Sequence, residues 1–156
     1  MVATYEVSLV ELEGQNAAVI RETTTLANIG AALSEMLGAV AEYLREMKVT
    51  PSGPPFARYY AVDAKGVDVE AGYPTPTEVP RRWRVVPAEL PGGSAAATWH
   101  TGPYDRIGDA YAALDEWLKA NRRRRSGPPM EVYWTDPSQV DDPSQWRTQV
   151  IQPLAP

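Results

Sequence analysis

The sequence has no cysteine and a single histidine, His100. The first absence excludes a disulfide framework, a thiolate nucleophile and a thiolate metal site. The second argues against a Ser-His-Asp triad and a multi-histidine metal site. His100 reads instead as a strand-end residue near a pocket rim. No stretch approaches the roughly 20 apolar residues of a membrane span. The start, Met1-Val2-Ala3-Thr4-Tyr5-Glu6, lacks the basic segment and apolar run of a leader. A cytoplasmic protein that avoids membranes is the expectation. There is no P-loop, dinucleotide fingerprint, zinc spacing or helix-turn-helix pattern, so no cofactor, no metal and no direct nucleic-acid partner is expected. A net charge of −5 over 156 residues gives no general attraction to nucleic acid or anionic lipid. Arg122–Arg125, an isolated basic run, reads as a solvated loop beyond a helix C-terminus, where its charge suits the helix dipole.

What is present is a repeat. Ser-Gly-Pro-Pro occurs at 52–55 and again at 126–129. Shifting the chain by 78 residues lays Val7–Gly30 on Val85–Gly108 without a gap, with nine of 24 pairs identical. Shifting by 74 aligns the two Ser-Gly-Pro-Pro copies and places Tyr59 on Tyr133, Tyr60 on Trp134 and Ala57 on Glu131. The offsets differ by four residues, about one helical turn, and the change falls inside a helical segment. An insertion of that length keeps a helix's apolar face aligned.

The periodicity predicts one helix in each half. Ile29, Leu33, Met36, Leu37, Val40, Leu44 and Met47 make the first, and Ile107, Ala110, Tyr111, Leu114, Trp117 and Leu118 the second. Asn28 and Asp105 are the expected N-caps. Strand-like segments are Tyr5–Leu12, Ala17–Thr23, Phe56–Val62, Val67–Tyr73, Arg84–Leu90, Ala95–Thr101, Met130–Thr135 and Thr148–Leu154. Each half reads strand, strand, helix, strand, strand. The expected fold class is α+β: one domain over residues 1–156, with repeat one at 1–76, repeat two at 77–156, and a central groove along a pseudo-two-fold axis. Grooves between repeats favour ligands.

In Met130-Glu131-Val132-Tyr133-Trp134, strand alternation puts Glu131 and Tyr133 on one face. On pattern alone, a half-buried strand with Glu131 in water is the favoured reading over a pocket. A buried carboxylate would need hydrogen bonds, a raised pKa or a cation.

The motifs resemble those of the GyrI-like small-molecule-binding family, which also supplies the effector-binding domain of bacterial drug-sensing regulators. They are Glu89-Leu90-Pro91-Gly92-Gly93, Gly102-Pro103-Tyr104-Asp105, Gly127-Pro128 with Glu131-Val132-Tyr133, Asp136-Pro137, and Trp146-Arg147-Thr148 with Pro153-Leu154. Asp68-Val69-Glu70-Ala71-Gly72 matches a weaker pattern in the first half. The resemblance implies two SH2-like repeats around a concave pocket. It implies that Glu131 faces lipophilic, cationic or aromatic ligands among aromatic walls, here Tyr59, Tyr60, Trp99, Tyr104 and Tyr133. One departure is Gln149, where the family often has an acid, and Glu70 is the candidate to replace it. Three functions stay open: a stand-alone binder that sequesters or reports toxins, a hydrolase of electrophilic cyclopropane-type compounds using Glu131 as base with Tyr133, and a protein-binding inhibitor of DNA gyrase.

Overall fold

The computed structural model describes residues 5–156. All eight expected strands and both helices are present: β1 (Ser8–Leu12), β2 (Gln15–Thr24), α1 (Ile29–Glu46), β3 (Phe56–Asp63), β4 (Gly66–Thr75), β5 (Val86–Leu90), β6 (Gly93–Thr101), α2 (Gly108–Ala120), β7 (Met130–Tyr133) and β8 (Arg147–Pro153). The fold is mixed α+β. Contacts divide it into two compact units, one of Met1–Leu12 with Gly93–Pro156 and the other of Glu13–Gly92.

Each unit holds a four-stranded antiparallel sheet and one helix. The strand order is β1-β6-β8-β7 in the first and β5-β2-β4-β3 in the second. The orders correspond when repeat-equivalent strands are matched, and so do the registers. Ala17 faces Pro74 as Ala95 faces Pro153, and Ala57 faces Ala71 as Glu131 faces Val150. The backbone N–H of Ser52 donates to Pro74 O at 2.9 Å, and that of Ser126 to Pro153 O at 2.9 Å. The two Ser-Gly-Pro-Pro segments therefore occupy the same place in the two units.

The units do not follow the expected 76/77 boundary. β1 pairs with β6 rather than with its sequence neighbour β2, and β5 pairs with β2 rather than β6. Each unit takes its outer strand from the other half of the chain. The two-residue links Glu13-Gly14 and Pro91-Gly92 have the length of hairpin turns but not their backbone conformation. Two-residue hairpin turns need positive φ at the first or at both central residues. Pro91 cannot adopt it, and neither Glu13 nor Gly14 does.

In the first unit, α2 lays Ala110, Leu114 and Leu118 on Ala96, Val150 and Leu154, with Tyr5, Val7, Ile107, Tyr111 and Trp117 around them. In the second, α1 buries Met36, Val40, Tyr43 and Leu44, and the Tyr43 hydroxyl donates to the Pro80 carbonyl. Arg84 ties Glu22 of β2 to Glu35 of α1. A side chain at Gly72 would meet Ala18 O at 1.9 Å, so β4 approaches β2 there only because the residue is glycine. Asn28 precedes α1, but its side chain makes no cap bond. Asp105 is not a cap at all. It lies in a 3-10 turn over Tyr104–Arg106, and Ile107 occupies the cap position.

Both helices end alike. Val49 N–H reaches Leu44 O at 2.9 Å and Lys48 N–H reaches Arg45 O at 3.2 Å. Arg123 and Arg122 repeat the pair on Leu118 and Lys119 at 3.0 and 3.3 Å. This six-to-one and five-to-two pattern places Lys48 (φ 58°) and Arg122 (φ 53°) in the left-handed region. The arginine run thus begins inside the cap and is tied at its far end, where Arg125 bridges to Leu154 and pairs with Asp115 at 2.9 Å. Glycine is the residue this cap favours. Arg122→Gly and Lys48→Gly should each stabilise the protein by about 0.5–1 kcal/mol, the left-handed cost less the added chain entropy. Urea denaturation with an unchanged slope checks it.

Candidate functional site: a buried carboxylate between phenols

Directly paired residues of antiparallel strands point to the same side of the sheet. In the first unit, Ala96, Thr98 and His100 of β6, Thr148, Val150 and Gln152 of β8, and Glu131 and Tyr133 of β7 therefore share one face. It is the face that α2 covers, since Ala96 and Val150 pack with Leu114. Glu131 is 7 % exposed. Its carboxylate accepts a hydrogen bond from Tyr111 Oη at 2.6 Å on Oε2 and from Tyr133 Oη at 2.9 Å on Oε1. A carboxylate on the helix-covered face of a strand must be solvated by protein groups. The helix supplies one phenol and the strand's own i+2 position the other.

Tyr104, in the turn before α2, sets its ring edge-on to Tyr133 with centroids 5.9 Å apart, and against Trp146 at 5.2 Å. Trp146 is held in turn by its indole N–H on Val140 O at 2.8 Å. The Tyr104 phenol is pushed above its ordinary value, first by burial and then by the negative charges of Glu131 and Asp136. On the same face, His100 lies between the Tyr5 hydroxyl at 2.9 Å and Pro103 O at 2.8 Å. A carbonyl only accepts, so Nε2 carries the proton toward Pro103 and Nδ1 accepts from Tyr5. His100 is buried structure rather than rim. Beside it, Thr148 Oγ1 is buried and has no hydrogen-bond partner among the described residues.

The expected wall residues thus separate. Glu131, Tyr133 and Tyr104 come together, joined by Tyr111 and Trp146. Trp99 does not join them. It points to the opposite face of β6, where its ring lies 5.9 Å from Trp134 and under the Arg147 guanidinium at 4.2 Å. The reason is parity, because Trp99 and His100 are neighbours on one strand.

Tyr59 and Tyr60 belong to the second unit. Tyr59 shares a face with Ala57 and Val69. Tyr60 stands at a register shift between Tyr59 and Ala61, with the Arg21 guanidinium 3.7 Å above its ring and its hydroxyl donating to Glu70 at 3.3 Å. Glu70 also accepts from Arg58 Nε at 2.7 Å, in a buried ion pair. Glu70 sits on the face opposite Ala57, since it pairs with Arg58 rather than with Ala57. Its charge is answered by arginine, so it does not act as a second open carboxylate. Among the described residues no group of three or more His, Cys, Asp or Glu could hold a metal, and no helix is long and apolar enough to cross a membrane.

The chain belongs to the GyrI-like small molecule binding domain family, whose model matches residues 5–155. No curated protein sequence matches it. Among solved structures, the EcmrR C-terminal domain superposes with a TM-score of 0.87 at 19 % identity, covering 98 % of this chain and 99 % of that one. EcmrR in its DNA complex gives a TM-score of 0.86 at 19 % identity over 96 % of this chain, which spans 57 % of that chain. A hydrolase from Listeria innocua (TM-score 0.72, 13 % identity) covers 96 % of this chain and 92 % of its own. SAV2435 bound to tetraphenylphosphonium (TM-score 0.66, 9 % identity) covers 96 % and 94 %.

Two outcomes follow from the site geometry. Glu131→Gln removes a charge that holds the Tyr104 proton, so the Tyr104 phenol should titrate lower in the variant, read by ultraviolet difference spectra. In the wild type the folded phenol keeps its proton where the unfolded one has lost it. Its contribution to stability is therefore complete below about pH 10 and falls as pH rises through the folded value. The second outcome concerns Arg58 and Glu70, whose repeat equivalents are Val132 and Gln149. Arg58→Val should cost about 3–5 kcal/mol by stranding Glu70. Adding Glu70→Gln should recover most of that loss in the same denaturation assay.

Proposed function

We propose that the Glu131 face binds lipophilic cations that carry aromatic groups, and that the protein serves to capture or sense such compounds. The observation that carries this reading is the Glu131 carboxylate, buried yet fixed by two phenols, with the Tyr104–Trp146 pair beside it. Phenol donors fix the orientation of a carboxylate, and a cationic ligand is the natural complement of such a group in a buried site. Ring faces add about 0.5–2 kcal/mol each of cation–π attraction. One fixed charge with flat walls selects polarity while tolerating shape. The tetraphenylphosphonium bound to SAV2435 is a ligand of this chemistry on a similar fold. The proposed contact set is Glu131, Tyr133 and Tyr104, extended by Tyr111 and Trp146. Tyr59 is the second unit's counterpart of Tyr133. Trp99 and Tyr60 are assigned other surroundings, the first by strand parity and the second by Arg21 and Glu70. We also attribute the matching registers of the two units to duplication of one SH2-like ancestor.

One observation favours a second reading, hydrolysis of electrophilic cyclopropane-type compounds. Glu131 has a phenol on each oxygen, so a carboxylate base and a phenol acid stand side by side.

Glu131→Gln decides between these. It should leave the thermal midpoint within a few degrees. It should weaken tetraphenylphosphonium by about 1.5–3 kcal/mol, the worth of a charge-assisted contact, while the neutral triphenylphosphine oxide changes little. Equal losses for both ligands in calorimetric titration would make Glu131 an ordinary strand residue. Wild-type turnover of a cyclopropane-type electrophile that the variant lacks would favour the hydrolase.

A further inference from the structure

The other face of the first unit holds a separate cavity. Ser8 and Val10 of β1, Ala97 and Trp99 of β6 and Gln149 of β8, with Glu6 just before β1, line about 490 Å³, a volume suited to a small organic molecule. All of these residues lie on the side away from Glu131, because Trp99 pairs with Gln149 and Ala97 with Ser8.

The lining has a definite chemistry. Trp99, Val10 and Ala97 make an apolar floor. Trp99 is 38 % exposed, far more than the alanines beside it. Its ring already carries one cation, the Arg147 guanidinium at 4.2 Å, and leans on Trp134 at 5.9 Å. These contacts hold the ring in place. Gln149 is oriented as well. Trp134 Nε1 donates to Gln149 Oε1 at 3.3 Å, so the amide nitrogen of Gln149 is left to donate elsewhere. Glu6 supplies the only charge in the lining. Its backbone is pinned by Thr98 Oγ1 on Glu6 O at 2.8 Å, and its carboxylate makes no ion pair among the described residues.

We propose that this cavity is a second ligand site, for arylalkylammonium compounds. The ring lies against Trp99, Val10 and Ala97, and the ammonium hydrogen-bonds to Glu6 and the Ser8 hydroxyl. Arg147, over the Trp99 ring, repels a second positive charge there and directs the amine toward Glu6. The site therefore selects amines with N–H donors. A cation without them, such as tetraphenylphosphonium, can use the Trp99 ring but leaves Glu6 and Ser8 without hydrogen-bond donors.

The test uses the whole protein and three indoles: tryptamine, the neutral 3-methylindole and the anionic indole-3-acetate. Nitrogen-15 correlation spectra should show tryptamine shifting the Trp99 indole N–H and the Gln149 side-chain amide. Calorimetry should show tryptamine binding at least about tenfold tighter than either other indole. Glu6→Gln should weaken tryptamine about tenfold or more and leave 3-methylindole unchanged. Glu131→Gln should leave the tryptamine-induced shift of the Trp99 indole N–H intact, which separates this site from the one proposed above. Trp99→Phe, which keeps an apolar floor if a smaller side chain would unsettle the sheet, should also weaken it. Tryptamine that shifts Tyr104 or Tyr133 instead of Trp99, that is insensitive to Glu6→Gln, or that does not bind at millimolar concentration would overturn the proposal.

Discussion

A carboxylate placed on the helix-covered face of a sheet cannot be left without donors, and this requirement organises the first unit. Glu131 needs a hydroxyl from above and one from its own strand. That demand fixes which residue of α2 faces β7. It also ties the turn before α2 to the site through Tyr104, whose ring completes the cluster against Tyr133 and Trp146. The second unit solves a related problem on the opposite face and by another route. There Glu70 is buried against Arg58, and a tyrosine sandwiched below Arg21 adds a third contact. In the first unit phenols donate to the buried carboxylate, whereas in the second a guanidinium does.

The pairing of Ala57 with Glu131 expresses the same division. The two positions face Ala71 and Val150 in matching registers. A second acid at the alanine would have to find its own two donors beneath α1, where the residue matching Tyr111 at the 78-residue offset is Leu33. Leucine offers no hydrogen bond, so alanine and leucine belong together as glutamate and tyrosine do.

Local structure was legible in the sequence because it rests on local periodicity. Every strand and helix falls where alternation or helical spacing places it, and the offsets of 78 and 74 residues recur as register. Pairing partners were not legible. The two-residue links Glu13-Gly14 and Pro91-Gly92 invite a hairpin reading, and only their φ angles rule it out. Side-chain parity along a strand could be read, but which parity faces the helix depends on the neighbouring strand. Without that information Trp99 reads as a neighbour of Glu131, whereas it lies on the other face of the sheet. Tyr111 was visible as part of an apolar stripe, and its hydroxyl gave the missing signal: a tyrosine on a buried helix face needs a partner. Asp105 matched a cap by composition, yet a 3-10 turn moved the start of α2 beyond it.

The exchange of outer strands has a consequence for the order in which the chain acquires structure. Ser8 is paired with Ala97, and Gln15 with Leu90. During synthesis β1 is made well before β6 and has no partner until β6 has been made. The second unit's sheet is likewise incomplete until Leu90 is available. Closing loops of this length is slow, since chain entropy opposes the contact before any burial rewards it. During that interval the first strand is an unpaired edge, and its exposed backbone must find β6 before it finds another chain.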